Sequence, residues 1–250
     1  GIEDNVRLLA EYSYKIIFPS DFVRAKLKTI TKIDDKKTEI LPQGLYKFNR
    51  YKERKPEASR NLRKTLGLSR DAKIVLGVGF GDYRKGIDLF IEAARIVKKV
   101  SSDVYFLWVG NIHSGIMKKI DHEVKTNKNI LLHNSVKDTS LFYAGADIYL
   151  LTSREDPFPT VVLEAMDAGL PVIGFCGAGG FGDIVNENTG TLVPYLDVTA
   201  MAREVINLLN DKQRRKLLES NASKLIEDKF NFTDYVYKLL ALLGHEYKKV

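Results

Sequence analysis

Residues 148–175 read IYLLTSREDPFPTVVLEAMDAGLPVIGF. The opening run Ile148–Leu151 is apolar at every position, and Pro171–Phe175 at the far end is a second strand-sized run. Runs that are apolar throughout suit strands covered on both faces, as in a parallel sheet. Between them, Thr160–Ala168 reads as a helix that stops at Gly169, with Pro171 just beyond. That is a common way for a helix to end. The stretch is therefore a strand, a stiff proline-rich loop, a helix and another strand, the repeating unit of an α/β fold.

The same alternation runs outward. Lys73–Val78, Val104–Val109, Ile130–His133 and Thr191–Val193 are further strand candidates. Gly86–Val100 is an amphipathic helix with Ile87, Phe90, Ile91, Ala94 and Val97 on one face and Glu92, Arg95, Lys98 and Lys99 opposite. Ser114–Asn127 and Ser140–Gly145 supply two more helices. Strand-helix repetition of this kind predicts an α/β, doubly wound parallel sheet of Rossmann-like type. After Thr199 the chain reads as a helical C-terminal tail: Ala200–Asn210 capped by Thr199, Gln213–Asp228 capped by Asp211, and Phe232–Tyr247. The first 45 residues differ in kind, with a strand at Tyr14–Phe18, a capped helix at Ser20–Ile30 and a strand at Glu39–Leu41. Such a piece cannot bury both of its faces. It reads as the closing segment of a preceding domain, packed on the edge of the main one. The expected division is 1–45 for that segment, 46–60 for a linker and 61–250 for the main domain.

Bulk properties narrow the class. The 250 residues are 44% hydrophobic and 28% charged, an ordinary globular composition. No apolar run approaches the ~18 residues of a membrane-spanning helix, and residues 1–12 lack the apolar centre of a secretory signal. Cys176 is the single cysteine, which fits a reducing, cytoplasmic setting. His113, His122, His133 and His245 form no metal-ligand pair at helical spacing, so no metal and no resident cofactor are expected. The net charge of +7 admits nucleic acid, an anionic membrane or anionic small ligands. The densest basic stretch, Lys47–Arg63, carries Tyr46, Phe48 and Tyr51 nearby, and it reads as a solvated linker. No RNA-binding consensus and no zinc-finger spacing occur, which points away from nucleic acid.

The loop Ser153–Pro159 follows a strand, at the carboxyl edge where open α/β sheets bind ligands. Backbone N–H groups of Thr160 and Val161 at the helix start suit a phosphate, whereas Pro159 has none to offer. Glu164, one turn in, has the acceptors for two hydroxyls such as a ribose diol. Asp156 is placed to orient sugar hydroxyls. The same residues also fit a plainer reading, with Glu155 and Asp156 favouring the positive end of the helix and Glu164 on a solvated face. Val78–Gly86 is a second strand-to-helix turn, with Gly79 and the adjacent cations Arg84 and Lys85. Gly177–Asp183, containing Gly179 and Gly180, is a backbone that a ligand can approach closely. Val109–Asn111 and His133–Asp138 lie at neighbouring strand ends and are candidate base-binding loops. His113 and His133 read as structural.

These motifs together resemble the retaining group-1 (family 4) glycosyltransferases of the GT-B fold, over roughly residues 38–243. The family pattern has an acidic residue, seven residues, Glu, then Ala-Met-x-x-Gly-x-Pro-Val. Here Asp156, seven intervening residues and Glu164 are followed directly by Ala165–Val172. Ala144–Asp147, Gly179–Val185 and Gly190–Pro194 resemble the flanking motifs. The resemblance implies a domain that binds a nucleoside-diphosphate sugar as substrate. Lys85, Arg84, Gly79, Phe158, Thr160, Val161, Gly179 and Gly180 would bind the donor, Glu164 would anchor its ribose, and Asp156, with Glu155 as the adjacent alternative, would position the sugar. Two departures stand out: Asp156 replaces the usual Glu, and the family's phosphate-binding Arg is replaced by Gly79 or Phe80, with Arg84 as a substitute. A glycan or glycolipid acceptor would sit against a missing N-terminal domain, so the chain is expected to be a piece of a longer protein with little or no activity alone. Peripheral contact with the inner face of the cell membrane is also expected. The rival readings are a non-catalytic nucleotide-sugar-binding or scaffold domain, and another nucleotide-dependent enzyme of this fold such as an epimerase.

Overall fold

The computed structural model describes residues 2–244. Two short strands open the chain after helix α1 (Ile2–Tyr12): β1 (Ile16–Phe18) and β2 (Thr38–Ile40), parallel to each other and joined by α2 (Asp21–Ile30). Ser20 caps α2 by accepting from the Val23 amide. The large sheet is then built from α3 (Lys55–Thr65), β3 (Lys73–Val78), α4 (Ile87–Lys98), β4 (Val104–Val109), α5 (Ser114–Thr126), β5 (Ile130–His133), α6 (Ser140–Gly145), β6 (Ile148–Leu151), α7 (Thr160–Asp167), β7 (Val172–Phe175) and β8 (Gly190–Val193). Helices α8 (Val198–Asn210), α9 (Lys212–Lys229) and α10 (Phe232–Leu242) close the described chain.

All six long strands are parallel, in the order β5-β4-β3-β6-β7-β8. The order reverses between β3 and β6, so the loops leaving those two strands diverge and open a crevice at their carboxyl ends. The strands are apolar because helices cover both faces. Ile74, Leu76, Leu107 and Ile148 are wholly buried, and Phe90 of α4 packs edge-on against Phe106 and Trp108 of β4. The expected doubly wound α/β sheet with a helical C-terminal segment is therefore the fold.

Three expectations are corrected. Asp197, rather than Thr199, caps α8, because its carboxylate accepts from the Ala200 amide. Asp211 does cap α9, by accepting from Arg214 N. Residues 46–60 are largely exposed, as a solvated linker would be, but they are more than a linker. They contain a 3-10 turn at Lys52–Arg54 and the first half of α3, and they are stapled to the large domain. The wholly buried Asp167 accepts from the Asn49 amide at 2.6 Å and from Lys52 Nζ at 3.1 Å. Arg63 is buried too, donating to the carbonyls of Ala72 and Gly145 and to Asp147. A guanidinium is buried only when its donors are met in this way. Finally, α10 ends at Leu242; the part of Phe232–Tyr247 beyond 244 lies outside the described residues.

Candidate active site

The two loops at the switch point meet through one ion pair. Lys85 Nζ stands 2.5 Å from Asp156 Oδ2, and only 15% and 6% of the two side chains are exposed. Ser153 Oγ donates to the same oxygen at 3.4 Å, which leaves Asp156 Oδ1 without a bond from any described residue. Local backbone sets up the approach. Gly86 takes the left-handed conformation at φ +69°, and a β-carbon there would sit 2.0 Å from the Thr152 carbonyl oxygen. Lys85 is held by its amide donating to Asp82 Oδ1 and by Thr152 Oγ1 donating to its carbonyl. Its stem passes 3.8 Å from where Gly79 would carry a β-carbon.

Gly179 and Gly180 do make a close backbone approach, but to protein. Asp156 donates its amide to Ala178 O at 2.8 Å, and Gly180 N donates back to Asp156 O at 3.2 Å. Ser20, from the N-terminal segment, donates its hydroxyl to Pro157 O at 2.9 Å. The loop bearing Asp156 is thus clasped from two sides.

Other predicted residues lie apart. Glu155 points outward and pairs with Lys26 of α2 at 2.6 Å. Arg84 is exposed and donates to the Glu155 carbonyl at 3.1 Å. Phe158 stacks on Phe230, with ring centroids 6.2 Å apart. Thr160 and Val161 start α7 after the extended Pro159, and no side chain caps that helix.

Glu164 opens onto a separate small cavity of about 70 Å³, lined also by Lys47, Lys137, Asp138 and Tyr143. Burial pushes its carboxyl above the usual 4.5, while the Tyr143 hydroxyl and the Lys47 charge pull the other way. A raised carboxyl pKa means that the folded protein binds the proton better than the unfolded chain does. Stability therefore falls as pH rises from 4.5 through the folded value, and the cost is fully present above that value. Glu164→Gln removes that cost. Its melting temperature should exceed wild type at pH 7, and the two should converge below pH 4.5; thermal unfolding across pH measures this. Next to this cavity, sharing Thr139 with it, is a cleft of about 250 Å³ lined by Gly79, Phe80, Gly110, Asn111, Ser135 and Val136. Gly110, Asn111, Ser135 and Val136 belong to the two candidate base-binding loops, whereas Gly79 and Phe80 come from the turn after β3.

Sequence reasoning missed several residues here. Tyr143 lies beside the Ala144–Asp147 motif, yet its residue type alone says nothing of the cavity it reaches. Arg154 forms a two-pronged pair with Asp88 at 2.8 and 2.7 Å and stacks 3.7 Å from the Tyr83 ring centroid, bolting the Asp156 loop to the start of α4. His113 caps α5 through Nδ1, a structural role. Among the described residues no group of three or more His, Cys, Asp or Glu side chains is gathered to hold a metal. Nor is any helix among them long and apolar enough to cross a membrane.

The sequence model of the family described as glycosyl transferases group 1 matches residues 58–225. The capsular polysaccharide biosynthesis glycosyltransferase CapM of Staphylococcus aureus is 28% identical over 149 residues, covering 59% of this chain and 39% of CapM. The lipopolysaccharide glucosyltransferase WaaG of Escherichia coli K12 is 26% identical over 182 residues, covering 72% of this chain and 49% of WaaG. The chain thus spans less than half the length of either relative. HepE of Anabaena, crystallised with UDP and glucose, superposes with a TM-score of 0.84 at 19% identity, over 98% of this chain and 67% of HepE, a likeness of fold.

Proposed function

The chain belongs to the glycosyl transferases group 1, and on that premise we propose that it binds the donor in transfer of a hexosyl unit from a nucleoside-diphosphate sugar to a glycan or glycolipid, with retention at the anomeric carbon. The observation that carries the reading is the convergence of Lys85, Asp156 and the uncapped start of α7 at the switch-point crevice. An ammonium has three N–H donors, and one is spent on Asp156. The others, with the amides of Thr160 and Val161, supply positive charge to a diphosphate. They stabilise it as a leaving group without a resident cofactor. Asp156 Oδ1 accepts from a sugar hydroxyl. Glu164 takes the ribose diol, and the cleft beside Gly110 and Ser135 takes the base. Arg84 joins the diphosphate only by leaving the Glu155 carbonyl, so it substitutes weakly for the family arginine.

The acceptor is bound, in this proposal, by a further part of the protein, and the isolated chain transfers little or no sugar. The fraction of its relatives that the chain spans supports this division of labour. The net charge of +7 supports peripheral contact with an anionic membrane at its cytoplasmic face. A second reading, a non-catalytic nucleotide-sugar-binding domain, is favoured by one observation: Lys85 is already neutralised by Asp156.

A thermal-shift panel with UDP, GDP, ADP and their sugar conjugates tests the donor site. At 100 times its dissociation constant a ligand adds about 2.7 kcal/mol, on the order of 5–10 °C in a chain of this size. One base should give the shift, and Glu164→Ala should lose it. No shift with any of them would sink the reading.

A further inference from the structure

Helix α6 carries a side chain with unused bonding capacity. Among the described residues, the Tyr143 hydroxyl is the one fully buried side-chain nitrogen or oxygen that closes no hydrogen bond. Buried polar groups in native proteins are nearly always paired, so an orphan calls for an explanation. Tyr143 is 1% exposed, its ring lies 5.8 Å from that of Tyr149, and the Tyr149 hydroxyl has its own acceptor in Val78 O. Helix α6 has no room to shift and re-aim it, because Gly145 packs directly on Leu62 and Ala58 of α3. The acceptor free to come to it is Glu164, on the next helix and on the wall of the same cavity.

We propose that Tyr143 is a positioning residue: when a ribose enters the cavity, the Tyr143 hydroxyl donates to the Glu164 carboxylate and fixes the orientation in which that carboxylate accepts the ribose diol. The inference rests on the reading of Glu164 as the ribose anchor. A carboxylate has about four lone-pair sites, so it accepts one donor from Tyr143 and two from the diol together. Without ligand, the Tyr143 hydroxyl already holds the Glu164 carboxyl pKa down but closes no full hydrogen bond to it. Ribose draws the carboxylate the rest of the way to the hydroxyl. No proton moves, because burial lifts the Tyr143 phenol well above its usual range and keeps it a donor.

The test is calorimetric titration of the whole chain with UDP, GDP and ADP, each in its ribo and 2′,3′-dideoxy form. Wild type should prefer the ribo form of one base, and Glu164→Ala should show no preference. Tyr143→Phe should lose about tenfold in ribo affinity, what one hydrogen bond to a charged group provides, with dideoxy affinity unchanged. Adding Tyr143→Phe to Glu164→Ala should cost nothing more. The melting temperature of Tyr143→Phe should equal or exceed that of wild type, since the change removes an unpaired group. A pH profile separates positioning from packing. The charged groups lining the Glu164 cavity are Lys47, Lys137, Asp138 and Asp167; Asp138 is paired with Arg50, and Asp167 with Lys52. All of them are retained in Tyr143→Phe, so the pH at which ribo binding fades on acidification should rise only through loss of the hydroxyl. If Glu164→Ala loses the ribo preference while Tyr143→Phe keeps both the preference and the pH midpoint, the inference is overturned and the ribose anchor stands. Equal loss of ribo and dideoxy affinity in Tyr143→Phe overturns it as well. If wild type fails to distinguish ribo from dideoxy, or binds none of the six, the ribose anchor falls and the inference with it.

Discussion

Replacing Lys85 by methionine should lower the melting temperature by on the order of 10 °C and remove nucleoside-diphosphate binding altogether. Both effects come from one contact. Lys85 Nζ lies 2.5 Å from Asp156 Oδ2, and the pair is nearly buried, with 15% and 6% of the side chains exposed. Removing one partner of a buried pair leaves the other charge unpaired, at a cost of about 3–5 kcal/mol. Ser153 Oγ, at 3.4 Å, is too distant to compensate. Methionine keeps the stem that passes Gly79, so the loss is one of charge rather than packing. A second variant, Lys85→Met with Asp156→Asn, removes both charges. It should regain most of the stability and none of the binding. Thermal unfolding and calorimetric titration of the two variants check this. A single variant that kept its melting temperature and its diphosphate affinity would refute both the energetic role of the pair and the phosphate role of Lys85.

Gly179→Ala should be nearly as damaging, for a steric reason. A β-carbon there would lie 1.8 Å from the carbonyl oxygen of Asp156 and 2.8 Å from its carbonyl carbon. Both are backbone atoms, which cannot swing away as a side-chain end does. The bonds Asp156 N to Ala178 O and Gly180 N to Asp156 O must then break or lengthen. Overpacking of this kind costs about 3 kcal/mol, and it displaces Asp156 from Lys85. Donor binding should therefore fall together with stability. Gly182→Ala, three residues on, is the control. Its nearest contact would be Leu192 Cδ1 at 4.0 Å, and the change should stay within about 0.5 kcal/mol. If the two variants unfold at the same temperature, the clasp between these loops contributes nothing to stability.

Much of the fold was legible because burial on both faces leaves a plain mark. Lys73–Val78, Val104–Val109, Ile130–His133 and Ile148–Leu151 are strands with the bounds their apolar runs indicate. Helix α3 went unread because it lies in the densest basic stretch, where charge suggested solvent. Pro56 at its start was the available signal, since proline fits the first turn of a helix. Burial of Arg63 depends on carbonyls of Ala72 and Gly145, which no local pattern reveals. At the site, the order of strands and loops placed Lys85, Asp156 and α7 at one sheet edge, but not the partners each would choose. Side chains that meet across loops 71 residues apart leave no periodicity behind. The glycines announced a close approach without saying to what. Glu155 and Asp156 are adjacent and chemically alike, yet backbone pairing turns one inward to Lys85 and the other outward to Lys26.

The clasp on Pro157 by Ser20, 137 residues away in the chain, also bears on how the molecule comes together. A contact of such sequence separation repays its loop-closure entropy only when both ends are already ordered. The local units, each a strand with its following helix, are favoured to assemble early. The docking of the N-terminal segment on the Asp156 loop, of longer range than any strand pairing in the large sheet, is then set late. Newly made chains should accordingly order the large sheet and its switch-point loops before the N-terminal segment clasps Pro157, and a ligand that bridges those loops would act before that last docking step.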